Sequence, residues 1–200
     1  VDKPLSPSLA DCDALAAAVE ERGLKCLVWN RNFLPALVEA RRAVEEGVLG
    51  TLQAIHCDFY FSKDAGPPKG SRGPGDPPIN WLARQMDAHA DGSDGGVGGA
   101  PLGELQIEGI YPLAYIHMLA QLPVARVFAR TATHFHQANV DNEVDDLASV
   151  TLEMADGCTG PLAIGRIGAS AHPDIGEIKL PLLGSEGSLV VSEARPEVAV

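Results

Sequence analysis

Leu24 to Trp29, Leu-Lys-Cys-Leu-Val-Trp, is an almost unbroken apolar run, and no other stretch limits the fold as much. A strand with one wet face alternates. A strand covered on both faces does not, and such strands belong to parallel sheets flanked by helices. The residues before it are punctuated as a helix: Ser6 ahead of Pro7, or Ser8 with Asp11 three residues on, can cap its start, and Gly23 supplies the stop. Leu9, Cys12, Leu15, Ala16 and Val19 share one face of that helix. A helix leading into a buried parallel strand is half of a crossover unit, and the strand's backbone groups need a neighbouring strand. No such partner is legible in the residues after Trp29. Residues 1–33 are therefore expected to close a helix-flanked parallel domain whose remainder lies outside this sequence, and the chain is expected to be cut at both ends.

Residues 34–200 read as a different kind of unit. Leu34 to Gly47 has the spacing of an amphipathic helix, with Leu34, Leu37, Val38, Arg41 and Val44 on one stripe and Glu39, Arg42, Glu45 and Glu46 opposite. Thr51 to Phe61 alternates as a strand, and because neither face is purely polar both are expected to meet protein. Ser62 to Pro78 is crowded with Gly, Pro, Lys and Asp and reads as a long surface loop, functional or a bare insertion. A short helix is expected around Trp81 to Met86. The glycine-rich stretch Asp91 to Gly99 is no phosphate cradle, since Asp91 and Asp94 repel phosphate and no Lys-Ser/Thr comes after it. It lets the backbone turn into a helix beginning near Pro101 to Glu104.

Beyond that helix the pattern changes to strands: Val124 to His136, Ala148 to Met154, Thr159 to Ile167, Glu177 to Leu183 and Ser188 to Ser192. Ala155-Asp156-Gly157 and Gly184-Ser185-Glu186-Gly187 are hairpin signals. Consecutive hairpins imply an α+β unit: an open, mostly antiparallel sheet with helices on one face. The final residues, Ala194 to Val200, complete no recognisable element. The uncovered sheet face is expected to be hidden against another copy, giving a homodimer or higher homo-oligomer.

Composition narrows the function. With 46% hydrophobic and 21% charged residues over 200 positions, the chain can support a substantial core. A formal charge of -12 with dispersed Lys and Arg disfavours nucleic acid or an anionic lipid surface as partner. No apolar stretch approaches the ~20 residues of a membrane-spanning helix, and no charged-then-apolar signal opens the chain. Cys12, Cys26, Cys57 and Cys158 lack C-x-x-C spacing and suit reduced packing positions, which points to the cytoplasm. His134 and His136 would project to one side of a strand, with Asp141, Asp145 and Asp146 after them. Nothing in the spacing sets a third ligand, so a polar sheet face or subunit contact is the reading, and no metal is expected.

In order along the chain, Asp2-Lys3-Pro4-Leu5, the helix, Leu27-Val28-Trp29-Asn30-Arg31-Asn32-Phe33, the segment Ala40 to Gly50 (Ala-Arg-Arg-Ala-Val-Glu-Glu-Gly-Val-Leu-Gly), and Gly109-Ile110-Tyr111-Pro112-Leu113 resemble the glucose-fructose oxidoreductase / inositol dehydrogenase / MocA family. In that family a Rossmann dinucleotide-binding domain ends in Glu-Lys-Pro and is succeeded by a sheet-rich substrate and oligomerisation domain. The resemblance implies that residues 1–33 are the terminal part of the Rossmann domain and residues 34–200 the substrate domain, incomplete at its C-terminus. It also implies the activity: an NAD(P)-dependent oxidoreductase moving a hydride to or from a sugar, cyclitol or similar polyol carbon. The alternative is a non-catalytic oligomerisation or ligand-sensing module derived from that family.

By the same resemblance Lys3 would hydrogen-bond the reacting hydroxyl and help hold the nicotinamide ribose, and Pro4 would shape the turn beside it. Asn30 and Arg31, with Asn32, would lie at the strand end where open sheets gather ligands. The family places an Asp and a His or Tyr four residues apart on the central helix, around a glycine. Gly109 and Tyr111 match, whereas Ile107 stands at the Asp position. A phenol is a poor base at neutral pH unless a neighbouring ammonium favours its ionised form, which Lys3 would do across a cleft. Glu104 and Glu108 are the candidates for the missing acid. His117, further along the helix, is expected to be a packing residue. The fingerprint G-x-G-x-x-G is absent, so NAD or NADP is expected to bind the full-length parent and not this chain alone.

Overall fold

The computed structural model of the protein describes residues 1, 3–6, 8–61, 82, 101–166, 177–192 and 197–199. In chain order the described elements are α1 (Leu9–Glu21), α2 (Pro35–Glu45), β1 (Leu52–Ile55), β2 (Cys57–Phe61), α3 (Glu104–Glu108), α4 (Ile110–Ala120), β3 (Val124–Ala132), α5 (Gln137–Asp141), β4 (Leu147–Met154), β5 (Thr159–Arg166), β6 (Glu177–Gly184), β7 (Ser188–Ser192) and β8 (Glu197–Ala199). The strands form one sheet in the order β3-β4-β5-β1-β6-β7-β8, with β2 carrying β1 onward between β5 and β6. Only the pairing of β5 with β1 and β2 is parallel; every other ladder among the described residues is antiparallel.

Alternation along the strands decides which face is covered. Val150 and Leu152 of β4, Leu162 and Ile164 of β5, Ile55, Cys57 and Phe59 of β1 and β2, and Leu180 and Leu182 of β6 point one way and are buried. Leu37 and Ala40 of α2 and Tyr115, Ile116 and Leu119 of α4 close that face. Each such aliphatic or aromatic side chain contributes about 1.5–3 kcal/mol by leaving water. The intervening residues, among them Phe128, Thr151, His56, Asp58, Lys179 and Leu183, line the opposite, open face. This is the α+β architecture read from the strand pattern.

Among the described residues Leu24 to Trp29 has no strand neighbour, and Val1 pairs with it, donating from its amino terminus to Leu27 O at 3.0 Å and accepting from Trp29 N at 2.9 Å. Several other expectations are corrected. Leu24, Leu27 and Trp29 are 60%, 65% and 51% exposed, so the double burial that the pattern specifies is not realised among the described residues. The stripe on α1 likewise buries none of its residues. On α2 the covered face runs through Leu37 and Ala40, and Val38 points to solvent. The strand Thr51–Phe61 is interrupted at His56, whose N–H donates to Pro181 O at 2.9 Å, and on one of its faces His56 and Asp58 are exposed. β3 stops at Ala132, so His134 and His136 stand in the loop after it and do not form a strand pair. Near the C-terminus, where no element was expected, β8 adds to β7. The loop 62–78 and the stretch 91–99 lie outside the described residues, as does the helix 81–86 except for buried Leu82.

Candidate functional site

The corner between α3 and α4 gathers a cluster of buried charged groups. A Cβ at Gly109 would fall on the carbonyl oxygen of Leu105, so only glycine lets α4 begin directly where α3 ends. A Cβ at Gly103 would fall on the Asp145 carboxylate, and Glu104 N donates to Asp145 O at 3.0 Å. These two close approaches anchor α3 against the segment leading into β4, and they put Glu104, Glu108 and Tyr111 around one bend.

Lys3 reaches that bend from the other end of the sequence. Its Nζ donates to Ile107 O at 2.8 Å, lies 2.8 Å from Glu108 Oε2, and stands 4.9 Å from the centre of the Tyr111 ring. The Lys3 and Glu108 side chains are only 13% and 14% exposed. The position where the family carries Asp therefore contributes its main-chain carbonyl, and the neighbouring Glu108 brings the carboxylate. Of the two acid candidates, Glu108 meets Lys3 directly. The Lys3–Pro4 peptide bond is cis.

Tyr111 is 4% exposed. Phe59 stacks on its ring, Trp29 meets it edge-on with centroids 6.0 Å apart, and Arg31 Cζ lies 4.8 Å from its centre. Two cations over one aromatic ring are favourable through the ring quadrupole. Arg31 thus joins the cluster, whereas Asn30 turns its Oδ1 onto Asn32 N at 3.0 Å and closes a local turn. Asn32 Oδ1 is buried without a partner among the described residues. His117 is exposed on α4 and stands apart from the bend.

Sequence reasoning missed Arg166. Gly160, Leu162, Ile164 and Arg166 alternate on the covered face of β5, so the guanidinium is delivered inward, and that register was the available signal. Its Nε lies 2.8 Å from Glu104 Oε2 and a terminal nitrogen lies 3.4 Å from Glu108 Oε1. Burial pushes the Glu104 carboxyl up to about 7, with Glu108 adding to the rise, while Arg166 and Lys3 oppose it. Glu104 Oε1 is buried with no hydrogen-bond partner among the described residues.

Asp146, weighed from sequence only as a carboxylate beside the two histidines, has a role there that the spacing did not show. It is 1% exposed, and its carboxylate accepts from the backbone N–H groups of His134, Phe135 and His136 at 2.9, 2.7 and 3.0 Å. These bonds pull residues 134–136 off the sheet. The His136 ring nitrogen Nε2 then sits 3.1 Å from Arg166 O. No group of His, Cys, Asp and Glu suited to a metal ion occurs among the described residues.

Comparison with known proteins places the chain in a family. Residues 37–190 match the GFO/IDH/MocA C-terminal domain, and the chain belongs to that family. A 63-residue stretch is 35% identical to an uncharacterized oxidoreductase, YhhX, of Escherichia coli, covering 30% of this chain and 18% of that protein. Among solved structures, levoglucosan dehydrogenase in complex with NADH superposes with a TM-score of 0.71 at 21% identity, over 97% of this chain and 47% of that one. The WlbA dehydrogenase of Bordetella pertussis, in complex with NADH and UDP-GlcNAcA, gives a TM-score of 0.68 at 18% identity, over 96% of this chain and 50% of that one. At these identities the likeness establishes the fold, and the chain spans about half the length of each.

Proposed function

We propose that this chain is the substrate-facing part of an NAD(P)-dependent oxidoreductase that moves a hydride to or from a carbon of a sugar, cyclitol or similar polyol. Family membership, and neighbours of the same fold that carry NADH, support this reading. The observation that carries it is the meeting of Lys3, Glu108 and Tyr111, brought together from distant parts of the sequence.

When bound, the nicotinamide supplies or accepts the hydride. The residues of this chain do the rest. Lys3 Nζ hydrogen-bonds the reacting oxygen and exchanges a proton with Glu108 Oε2, which lies within hydrogen-bond reach. Buried Tyr111 and Phe59, stacked on each other, back this cluster on its core side. Exposed Trp29 and cationic Arg31 suit the flat nicotinamide ring, and Asn32 Oδ1, unpartnered among the described residues, suits a hydroxyl of its ribose. In this reading residues 1–33 close the dinucleotide-binding domain, and its remaining layers cover Leu24, Leu27 and α1. Lys3 and Tyr111 are the catalytic pair, Glu108 the acid, and Lys3, Pro4 and Arg31 the cofactor contacts.

The open sheet face supports a homodimer or higher homo-oligomer, and four free cysteines suit a reducing compartment such as the cytoplasm. No helix among the described residues is long and apolar enough to cross a membrane. A second reading, a ligand-sensing module without turnover, is favoured by one observation: Ile107 occupies the position of the family's Asp. The deciding experiment offers NAD and NADP to the full-length enzyme with a panel of sugars and cyclitols and follows nicotinamide absorbance. Turnover lowered by about 10²–10⁴ in Lys3→Ala supports catalysis; dinucleotide binding without turnover across the panel supports the sensing module instead.

A further inference from the structure

The buried cluster contains more than the proposed reaction uses. Glu104, Arg166, Glu108 and Lys3 form a chain of alternating charge, joined by contacts of 2.8, 3.4 and 2.8 Å. None of the four side chains is more than 14% exposed. The Glu108 carboxylate is divided: Oε2 faces Lys3 and Oε1 faces Arg166. A carboxylate free to rotate presents either oxygen in any direction, whereas one held at both oxygens has a single orientation. The rigid fork of a guanidinium is suited to imposing it.

Arg166 is itself held from several sides. Its N–H donates to Asp146 O at 3.1 Å and its carbonyl faces the His136 ring nitrogen at 3.1 Å. Its Nε is drawn to Glu104 Oε2. Glu104 remains buried there with its other oxygen unpartnered among the described residues, a costly arrangement for a carboxylate. It makes sense as the anchor of the guanidinium. The charged and titratable groups described around Glu104 are Arg166 from β5, Glu108 from its own helix, Lys3 from the N-terminal segment and Asp145 from the approach to β4.

We propose that Arg166 is a positioning residue: anchored on Glu104, it fixes the Glu108 carboxylate so that Oε2 is aimed at Lys3. The role rests on the oxidoreductase reading, because it acts on the pair assigned there to proton transfer. Arg166 touches neither substrate nor cofactor in this scheme; it acts through Glu108.

The test uses the full-length enzyme with Arg166→Gln, Arg166→Lys and the double variant Arg166→Gln/Glu104→Gln, which removes the stranded buried carboxylate and so protects folding. Two readouts are taken: steady-state kinetics, and the rate at which Lys3 is acetylated by acetic anhydride, monitored by mass spectrometry. The expected result for the glutamine variants is a fall of about 10²-fold in kcat with KM moved by less than about threefold. Lys3 acetylation should rise by about tenfold as its partner loosens, and Arg166→Lys should recover part of both. Unchanged Lys3 acetylation in a folded glutamine variant overturns the proposal, and so does a loss that falls on KM alone. Absence of hydride transfer by the wild-type enzyme refutes the oxidoreductase reading only, since Lys3 acetylation still decides whether Arg166 positions the pair.

Discussion

Lys3 Nζ and Glu108 Oε2 stand 2.8 Å apart although 105 residues separate them in sequence, and both side chains are largely withdrawn from water. An ammonium there satisfies two acceptors, Ile107 O and Glu108. A cation that cannot release its proton would satisfy them as well without performing the proposed chemistry.

Lys3→Arg separates those roles. The guanidinium keeps the charge and the ion pair but does not deprotonate at accessible pH. The expected outcome is a folded enzyme with a melting temperature close to wild type and kcat lowered by about 10²-fold or more, measured by nicotinamide absorbance beside a thermal melt.

Glu104 sets the acid-side stability. Its carboxyl is raised from 4.5 to about 7 by burial. Between those values the folded protein holds a proton that the unfolded chain has released, so the stabilisation is fully present below about 4.5 and is lost as pH climbs through about 7. At about 1.4 kcal/mol per pH unit the loss is at most roughly 3.5 kcal/mol. Urea unfolding at pH 5 and pH 8 reads it, and Glu104→Gln is expected to flatten that difference.

Asp146→Ala removes the acceptor for three backbone N–H groups while leaving those groups partly buried. Charge-assisted bonds to backbone contribute about 1.5–3 kcal/mol each, with partial relief from water. A loss of about 3–5 kcal/mol in total is expected, read as a lower urea midpoint, with Asp146→Asn falling between the two.

Gly109→Ala forces a methyl onto the Leu105 carbonyl. Relief requires α3 and α4 to move apart, which costs about 1–3 kcal/mol and swings Glu108 away from Tyr111. Reduced stability should therefore be accompanied by a fall in kcat larger than the change in KM.

Phe128→Asp addresses the open sheet face, where Phe128 is 65% exposed in register with Thr151. If another copy covers that face, a charge at its edge opposes the contact. Light scattering should show the mass falling toward that of one chain, with far-ultraviolet circular dichroism unchanged.

The strands and hairpins of residues 124–192 were legible because alternation and turn residues are local signals. Val150, Leu152, Leu162 and Ile164 are buried by the periodicity that marked them as strand. Leu24 to Trp29 illustrates the limit. Its composition records what a double-faced strand needs, while its 51–65% exposed Leu24, Leu27 and Trp29 show that covering layers are a property of what packs beside it. The site divides in the same way. Lys3 and Tyr111 were singled out through the family resemblance, and Glu104 and Glu108 as acids near them on the helix, whereas Arg166 and Asp146 carry no local motif, since their partners lie 58–62 and 10–12 residues away.

Sequence alone determined the class of the fold and most strands of its sheet, because side-chain period and turn chemistry are written residue by residue, and it named candidate acid–base residues through their resemblance to a family. Tertiary structure decided which of those groups meet. It put Glu108 rather than an aspartate beside Lys3, drew Asn30 into its own turn, took the two histidines off the sheet and lodged Arg166 between two glutamates. Each outcome depends on distances between segments far apart in the chain, and those distances exist only once the core has closed.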